Sequence, residues 1–273
     1  MEEKKIRKYK RKLPLYVRLL IVAGIAAAVF LLAILAVYMA GLRYITVTQD
    51  DEISVRFIGR VDQMGAPVAG TIYFSDGTSA VVDVESSAIR YSDGTVYTGS
   101  LDEYFRRNGK GVIEYANGDK YTGDFVLNKL TGRGVYEFIS GEVYEGELVD
   151  GVKSGTGKFV YANGDVYEGG FRADMRDGEG VLTLADGSSY TGTFVSGVKQ
   201  GKGIYRYSNG DVYDGEYYRD MRQGKGTYTW ANGESYTGDF AGNTIQGFGT
   251  YTWPDGRASY TGYFEGGAIK VVE

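Results

Sequence analysis

The 273-residue chain contains no cysteine and no histidine. Without cysteine the protein has neither a disulfide framework nor a thiolate metal site. Without histidine it lacks the commonest general base and the commonest metal ligand. Proline occurs only three times, so the 42 glycines do not belong to proline-rich linkers and indicate many turns instead. These absences argue against an enzyme and against a metal-binding protein.

Basic residues are scarce outside the N-terminal segment. Residues 1–43 contain nine Lys and Arg and two Glu, a balance of +7, whereas residues 44–273 contain 21 basic and 33 acidic residues, a balance of −12. Nucleic acids and anionic lipid headgroups are bound through positively charged surface. For the folded portion we therefore expect no nucleic-acid partner and no binding to anionic lipid.

One long apolar segment, residues 19–42, contains no charged residue and lies between Arg18 and Arg43. A helix of this length spans about 36 Å, which is enough for a hydrocarbon core of about 30 Å. The alternative is a cleaved signal peptide, but its apolar region is normally about 7–15 residues and ends in a small-x-small pattern. We therefore expect a retained transmembrane helix at 19–42, preceded by a basic cytoplasmic tail at 1–18.

The flanking charges also predict the orientation of this helix. Eight Lys and Arg precede it, whereas three acidic residues, at 50–52, follow soon after it. The positive-inside rule then places the N-terminus in the cytoplasm and the remainder of the chain outside. The predicted localisation is the cell membrane, with a single pass and an extracytoplasmic repeat region.

The rest of the chain is dominated by the tripeptide Tyr-x-Gly. It occurs eight times at steps of 23 or 24 residues, beginning at Tyr97, Tyr121, Tyr144, Tyr167, Tyr190, Tyr213, Tyr236 and Tyr260. A short fixed period indicates one supersecondary unit repeated along the chain. A residue that is present in every repeat is explained more simply by architecture than by a functional site.

Each repeat predicts a β-hairpin whose register can be inferred from the residues. In 111–125, two alternating runs flank Asn117-Gly118, a typical hairpin turn. A three-residue loop with a left-handed glycine pairs Ile113 with Tyr121 and places the aromatic residues and motif glycines on one face. A two-residue loop would instead place aromatic and charged residues on the same face of the sheet.

The opposite face supports the three-residue loop because it then pairs opposite charges across the strands. The expected pairs are Lys110 with Asp124, Arg133 with Glu147, Lys158 with Glu168, Lys202 with Glu216, and Lys225 with Asp239. Such pairs contribute about 0.2–1 kcal/mol each, whereas like charges cost free energy. In the last repeat the same position pairs Phe248 with Tyr263, and both residues depart from the charged pattern.

These motifs resemble the MORN repeat (membrane occupation and recognition nexus). Its pattern of Tyr-x-Gly-x-aromatic, then Gly-x-Gly and a Gly turn is seen in Tyr121–Phe125, Gly132–Gly134 and Gly141. The resemblance covers residues 87–267. It implies an all-β fold, an elongated single-layer antiparallel β-meander of about eight repeat hairpins and about 80 Å in length, here preceded by one transmembrane α-helix. It also implies a non-catalytic role in protein–protein scaffolding.

The ends of the repeat region depart from the pattern, which predicts the domain organisation. Residues 43–90 form a juxtamembrane β segment and degenerate cap repeat, in which Ala80 and Val82 replace the Tyr and Gly of the motif. Residues 91–267 form the repeat sheet. An extra residue within 257–259 predicts a bulge in the last repeat, and residues 268–273 form a C-terminal cap strand, because terminal repeats must close the stack.

The repeat face holds 26 of the 39 aromatic residues, and we expect most of them to form the core of the sheet. A single sheet cannot bury this face unless it rolls up or is covered, so an aromatic groove is expected to remain partly open. The pair Phe248 and Tyr263 is predicted to form an apolar patch beside Trp230 and Trp253. The candidate partner-binding residues are Tyr207, Tyr218, Trp230, Phe248, Trp253 and Tyr263.

No catalytic, metal or cofactor-binding residues are predicted. The carboxylates recur opposite Lys or Arg and are better explained as a solvated charge ladder than as a glycosidase pair. The Asn-Gly-Asp turns offer too few oxygens for calcium, which needs six to eight. The predicted function is a membrane-anchored, non-catalytic scaffold whose sheet binds an unidentified protein. The alternative is a glycan- or cell-wall-binding module that uses the aromatic groove.

Overall fold

A computed structural model of the protein describes residues 13–49, 53–63, 65, 67–83, 88–254 and 259–270. The chain divides into two compact units, residues 1–86 and residues 87–273. Most of the predicted basic tail, residues 1–12, lies outside the described residues, as do residues 257–258 of the predicted bulge and residues 271–273 of the predicted cap strand. The predicted roles of the five segments remain predictions. These are the basic tail (1–18), the transmembrane helix (19–42), the juxtamembrane cap repeat (43–90), the repeat sheet (91–267) and the C-terminal cap strand (268–273).

The first unit begins with the helix α1, Leu15–Met39. It starts four residues before the predicted segment because Pro14, whose ring fixes φ, lies immediately before the first turn. It ends three residues earlier than predicted because Gly41 adopts a left-handed φ of 76° and its N–H bonds to the carbonyl of Tyr38 at 3.0 Å. The helix is long and apolar enough to cross a membrane, and its side chains are exposed to the surroundings.

Four strands complete the first unit: β1 Leu42–Gln49, β2 Ile53–Val61, β3 Pro67–Tyr73 and β4 Ser79–Asp83, paired antiparallel in chain order. The β3–β4 register, with Ile72 opposite Ala80, is the same as that of the repeats. One feature of this unit is not among the predictions from the sequence. Phe57-x-Gly59 replaces Tyr-x-Gly, and the ring of Phe57 is fully buried next to Gly59.

The second unit is a continuous antiparallel meander in which each strand pairs with its neighbours in sequence. Its strands are β5 Ala88–Tyr91, β6 Val96–Leu101, β7 Arg107–Glu114, β8 Lys120–Val126, β9 Lys129–Glu137, β10 Val143–Val149, β11 Val152–Val160, β12 Val166–Arg172, β13 Met175–Thr183, β14 Ser189–Val195, β15 Val198–Arg206, β16 Val212–Tyr218, β17 Met221–Thr229, β18 Ser235–Ala241, β19 Thr244–Thr252, β20 Tyr260–Glu265 and β21 Ala268–Ile269. The predicted all-β meander with an N-terminal helix is confirmed.

Two kinds of turn alternate along this meander. Within a repeat the strands are joined by a three-residue loop, as in Ala116-Asn117-Gly118, where Gly118 has a φ of 93°. Between repeats, from the β8–β9 connection onward, the loop has two residues that both adopt positive φ, as in Leu127 (50°) and Asn128 (71°). This is the geometry of a type I′ turn, whose twist matches that of the flanking strands. The β6–β7 connection is instead a three-residue loop in which Phe105 has a φ of 61°.

The predicted register is confirmed in every repeat that the structure describes. Ile113 lies opposite Tyr121 and Lys110 opposite Asp124, with Nζ of Lys110 3.0 Å from Oδ1. The other predicted pairs also lie opposite each other, from Arg133 with Glu147 to Phe248 with Tyr263. On strands β9, β11, β13, β15, β17 and β19, each of which follows a type I′ turn, a bulge of two extra residues interrupts the pairing, for example where Asp124 lies opposite Thr131.

The core of the second unit consists of Tyr-x-Gly tyrosines lying on glycines. The rings of Tyr97, Tyr121, Tyr144, Tyr167, Tyr190, Tyr213 and Tyr236 have no exposed surface. Each ring covers its own motif glycine and the opposed glycine of the next strand, so that a Cβ at either glycine would overlap the ring. These rings form T-shaped pairs, with centroids 4.9–5.4 Å apart, with the aromatic residue that follows a motif tyrosine by four positions, either in the same repeat, as Tyr121 with Phe125, or in the next one, as Tyr97 with Phe125.

The buried phenols keep their hydrogen-bonding capacity. In all seven, the hydroxyl donates to the carbonyl three residues later, as from Tyr144 to Glu147 at 2.7 Å and from Tyr213 to Glu216 at 3.0 Å. Burial disfavours the charged phenolate and raises the pKa of six of them to about 12, namely Tyr97, Tyr121, Tyr144, Tyr167, Tyr190 and Tyr213. Each repeat therefore has a satisfied polar group within an aromatic core.

Candidate functional site: the aromatic face of the repeat sheet

The repeat sheet is a single layer with two chemically different faces. The face that carries the tyrosine core is called the aromatic face, and the opposite one, with Lys110, Glu147 and Lys225, the charged face. Among the described strands of the second unit, substantial contacts occur only between neighbours in the meander. No described element of this unit covers the aromatic face, so its outer rows of side chains are open to a partner.

A row of rings lines the aromatic face beside the three-residue loops, and we call it the edge row. Neighbouring rings in it lie 4.4–6.2 Å apart between centroids, and all except the buried Phe159 are half-buried. Leu182 and Leu184 divide it into two runs. The edge row comprises Tyr115, Tyr136, Phe138, Phe159, Tyr161, Tyr205, Tyr207, Tyr228, Trp230, Tyr251 and Trp253.

Two rings of the edge row, Tyr136 and Tyr228, are held in place by carboxylates that immediately follow three-residue loops. Asp211 is buried and accepts hydrogen bonds from the Tyr228 hydroxyl at 2.6 Å and from the Ala231 N–H, in the next repeat, at 2.9 Å. The hydrogen bond from Tyr228 and those from the backbone hold the pKa of Asp211 below its usual value. Asp119 makes the corresponding bonds to Tyr136 and Ile139. These aspartates therefore join successive repeats.

A second row on the aromatic face is cationic. Lys153, Arg176, Lys199 and Arg222 recur at steps of 23 residues and are called the cation row. Each lies directly opposite a core residue of the preceding strand, for example Arg176 opposite Phe171, and opposed residues share a face. Arg107 occupies the same position two repeats before Lys153, whereas Leu130 lies between them and Ile245 follows Arg222.

The type I′ turns fix the backbone of the cation row. The Lys199 N–H donates to Oδ1 of Asp220 at 2.9 Å, and the Asp220 N–H donates to the Lys199 carbonyl at 3.1 Å. Lys153 with Asp174 and Arg222 with Asn243 repeat this exchange. Each cation is therefore positioned by the turn of the following repeat, 21 residues later, so that the spacing of the row is set by the sheet.

The cationic groups lie among aromatic rings. Nζ of Lys199 is 5.0 Å from the ring centroid of Tyr205 and 5.4 Å from that of Tyr190, and Arg222 is 5.2–5.7 Å from three rings. Such contacts are favourable cation–π interactions. Burial lowers the pKa of the Lys199 ammonium, with an opposing contribution from Asp220.

Some N–H groups of the arginines on the aromatic face have no hydrogen-bond acceptor among the described residues. Arg176 donates from Nη2 to the Gly197 carbonyl at 2.7 Å, and Arg222 donates from Nη2 to the Asn243 carbonyl. Within the described part of the chain, Nε of Arg107 and Nε of Arg222 are the buried side-chain nitrogens that have no hydrogen-bond partner. A buried N–H without an acceptor costs free energy, which an acceptor on a partner would recover.

A cavity of about 230 Å³ opens on the aromatic face where the core is interrupted. Leu148 occupies the position at which neighbouring repeats have Phe125 and Phe171, and its smaller side chain leaves the space. Tyr136, Phe138, Tyr144, Leu148, Gly151, Lys153 and Asp174 line the cavity. It therefore combines aromatic walls with the first member of the cation row.

The six candidate partner-binding residues fall into two groups of three. Tyr207, Trp230 and Trp253 belong to the edge row and are half-buried. Tyr207 contacts Tyr228, and Trp230 and Trp253 both contact Tyr251. This half of the prediction lies on the open aromatic face.

The other three candidates lie on the charged face. Phe248 and Tyr263 form a T-shaped pair with centroids 5.3 Å apart and are 48% and 54% exposed, and Tyr218 is 48% exposed. The expectation that this pair lies beside Trp230 and Trp253 is wrong, because side chains alternate along a strand and Phe248 and Trp253, five residues apart, point to opposite faces. The structure therefore separates the predicted site into two surfaces.

Sequence reasoning missed the cation row, although its signal was present. Each cation precedes the second glycine of a Gly-x-Gly by four residues, as Arg176 precedes Gly180. An even separation in a strand keeps residues on one face, so the cations belong with the motif glycines.

Several solved structures resemble the chain at low similarity. The TCP10 domain of CPAP from Danio rerio, solved with a peptide of STIL, has a TM-score of 0.42 at 14% identity, and the match covers 72% of this chain and 94% of that one. The SAS-4 TCP domain of Drosophila melanogaster, solved with a proline-rich motif of Ana2, has a TM-score of 0.38 at 15% identity, over 57% and 85%. These values carry no functional argument. A comparison with curated proteins finds no match.

A family model provides stronger evidence. The MORN-repeat model matches seven consecutive segments, 106–120, 121–143, 144–166, 167–189, 190–212, 213–235 and 236–256. They cover more than half of the chain and coincide with the repeats that share one register and one tyrosine core. Six of the segments begin at a Tyr-x-Gly tyrosine, whereas the first, 106–120, contains no such motif, and the Tyr-x-Gly motifs at Tyr97 and Tyr260 lie outside all seven segments. The chain belongs to the MORN-repeat family, a non-catalytic repeat module.

Proposed function

We propose that this protein is a membrane-anchored, extracytoplasmic, non-catalytic scaffold that binds a protein partner through the aromatic face of its repeat sheet. The observation that carries the proposal is the open face itself. It presents an edge row of half-buried rings and a row of partly buried cations, and no described element of the second unit covers it. Half-buried aromatic and Arg side chains are the residue types that dominate binding energy at protein interfaces.

The anchor in this proposal is α1. Its 25 residues span about 37 Å at 1.5 Å per residue, and it carries one charged residue, Arg18, near its start. The basic residues that precede it favour a cytoplasmic N-terminus. Protease added outside intact cells should therefore degrade residues 44–273. Complete protection of that region would refute the extracytoplasmic location.

Site-specific photo-crosslinking tests the binding face. A benzophenone amino acid replaces Tyr207 on the aromatic face of the full chain in its native membrane, and in a matched variant it replaces Thr237 on the charged face. Illumination should yield a discrete protein adduct from position 207 and none from position 237, because only the aromatic face is expected to contact the partner.

Further positions strengthen this experiment. Trp230 and Trp253 sample the edge row, and Phe248 samples the exposed pair on the charged face. Adducts from Phe248 alone would assign binding to the charged face and overturn the proposal. Absence of protein adducts from every aromatic-face position would overturn protein binding through the sheet.

A second candidate function is binding of a glycan or of the cell wall. The observation in its favour is that Trp230 and Trp253 are half-exposed and lie in one row with Tyr251, as rings that stack on sugars would. The test is a pull-down of the full chain with purified wall polysaccharide, compared with Trp230→Ala and Trp253→Ala. Retention that both substitutions abolish would support this candidate, and absence of retention of the unsubstituted protein would eliminate it.

A further inference from the structure

The cation row is unusual because it belongs to a strongly acidic part of the chain. Residues 44–273 carry a net charge of −12, and on the charged face the basic residues are paired with carboxylates on the neighbouring strand, as in Lys225 with Asp239 at 2.6 Å. On the aromatic face, Arg176 and Arg222 instead donate to backbone carbonyls, which do not neutralise them. The two lysines of the row do face carboxylates, since Nζ of Lys153 lies 3.4 Å from Oδ1 of Asp174 and Asp220 favours the charged form of Lys199. This face is therefore complementary to an acidic ligand.

The spacing of the row limits the conformation of that ligand. Successive cations are two strands apart, and with about 4.8 Å between neighbouring strands this gives about 9.6 Å. A polyproline II helix has three residues per turn and rises about 3.1 Å per residue, so every third side chain returns to one side after about 9.3 Å. A β-strand cannot match this spacing, because its side chains repeat on one side every second residue, about 6.7 Å apart.

The surroundings of the cations suit the same ligand. The edge row provides aromatic rings beside Lys153, Lys199 and Arg222, with Tyr205 at 5.0 Å from Lys199 and Tyr228 at 5.2 Å from Arg222. Aromatic-lined grooves bind polyproline II segments, which lose little conformational entropy on binding. The cavity at Leu148 adds a recess beside Lys153 that can receive an apolar side chain of the ligand.

We propose that the ligand of the aromatic face is an acidic segment of a partner protein in the polyproline II conformation, with a carboxylate at every third residue facing Lys153, Arg176, Lys199 and Arg222. Four carboxylates at this spacing require ten residues and span about 28 Å. This inference rests on the proposed function, because it specifies the protein partner of the same face.

The test uses peptides of identical composition. The full chain in zwitterionic detergent micelles is titrated into fluorescently labelled (Glu-Pro-Pro)₄, and binding is measured by polarisation. The isomer Glu₄Pro₈, with the same charge clustered at one end, and the charge-reversed (Lys-Pro-Pro)₄ serve as controls. The spaced peptide should bind at least tenfold more tightly than the clustered isomer, and the basic peptide should not bind. Equal affinity for the two acidic isomers, or no binding of the spaced one, would overturn the proposal.

Matched variants assign the binding to one face. One variant replaces all four residues of the cation row by glutamine. The control variant replaces four cations of the charged face by glutamine, namely Lys110, Arg133, Lys202 and Lys225. The first should raise the Kd for the spaced peptide at least tenfold, and the second should change it less than threefold. Both must retain the β-sheet circular dichroism of the parent. A similar loss in both variants would indicate bulk charge alone and refute the proposal.

A substitution at the cavity gives an independent readout. Leu148→Phe introduces the residue that neighbouring repeats have at this position, so the fold should tolerate it, yet it fills the recess beside Lys153. We expect at least a threefold rise in the Kd for the spaced peptide. An unchanged Kd would show that the recess is not part of the peptide site and would overturn that part of the proposal.

Two further arms separate this inference from the proposed function. If the unsubstituted protein does not bind the spaced peptide, and the aromatic-face photo-adduct persists in the cation-row variant, the scaffold function stands and the acidic ligand is refuted. If vesicles containing 30% phosphatidylserine bind through the cation row and the spaced peptide does not, the ligand is a lipid surface and the inference is likewise refuted.

Discussion

The substitution Gly226→Ala should strongly destabilise the repeat sheet. A Cβ on Gly226 would lie 2.6 Å from both Cε2 and Oη of Tyr213, closer than Cβ atoms approach other groups in folded proteins. The Tyr213 ring has no exposed surface, and its hydroxyl donates to the Glu216 carbonyl at 3.0 Å, so it cannot move without losing contacts. The overlap must be relieved by displacing the ring or by separating the strands.

The magnitude follows from these two responses. Overpacking of a filled core costs about 1–3 kcal/mol when neighbours adjust. Complete displacement of a Tyr that buries 150–250 Å² would cost about 4–6 kcal/mol at about 25 cal/mol per Å². We expect a loss of about 2–4 kcal/mol in the free energy of unfolding, between the two. For a unit of this size, this corresponds to a fall in Tm of about 4–16 °C.

The assay is urea denaturation of the full chain in detergent, followed by the fluorescence of Trp230 and Trp253. Gly226→Ala is compared in the parent and in a Tyr213→Ala background, where the obstructing ring is absent. In that background it should be neutral or stabilise by about 0.4–1 kcal/mol, because alanine restricts the unfolded chain more than glycine does. An equal loss in both backgrounds, or stabilisation in the parent, would refute the account of the ring on the glycine pair.

Three further predictions concern groups that hold the repeats together. Burial raises the folded-state pKa of six core tyrosines to about 12. The stability that their neutral form provides should therefore be complete below pH 10 and be lost as pH rises towards 12. Absorbance at 295 nm monitors their ionisation, and titration of these six tyrosines near pH 10 would contradict the packing. Asp211→Asn should cost about 1–3 kcal/mol in urea denaturation, because it weakens the acceptor of Tyr228 and Ala231. Because the folded-state pKa of Asp211 is depressed, its contribution in the parent should be lost as pH falls below about 4, and an acid profile identical in the variant would contradict this. Ala173→Gly should stabilise by about 0.5–1 kcal/mol, because Ala173 has a φ of 49° in a type I′ turn; destabilisation would show that the turn is not strained.

Much of the fold could be predicted from short-range chemistry. The spacing of Tyr-x-Gly and the Asn-Gly turns predicted hairpins, and opposite charges such as Lys110 and Asp124 selected one register from two. This succeeded because paired residues are set by loop length and face, which are local properties. The helix boundaries were less accurate, since absence of charge defined residues 19–42 whereas Pro14 and Gly41 determine where α1 begins and ends.

The faces on which the candidate residues lie were anticipated in part, and their role in binding remains a prediction. Trp230 and Trp253 do lie on the open aromatic face, whereas Phe248 and Tyr263 lie on the other face. The separation of these residues follows from strand alternation and could have been recognised. The degree of burial of each aromatic side chain could not have been predicted from the sequence, because it depends on which neighbouring rings cover that side chain.

The sequence by itself determined the repeat, the hairpin register and the apolar segment, because each depends on spacing along the chain or on composition. Only the tertiary structure decided how each core ring lies on glycines of two strands, since those glycines approach through the register of the whole meander. It also decided the spacing and environment of the cation row, because the turn that positions Lys199 belongs to the next repeat. The surface proposed for binding is therefore a property of neighbouring repeats, and no single repeat contains it.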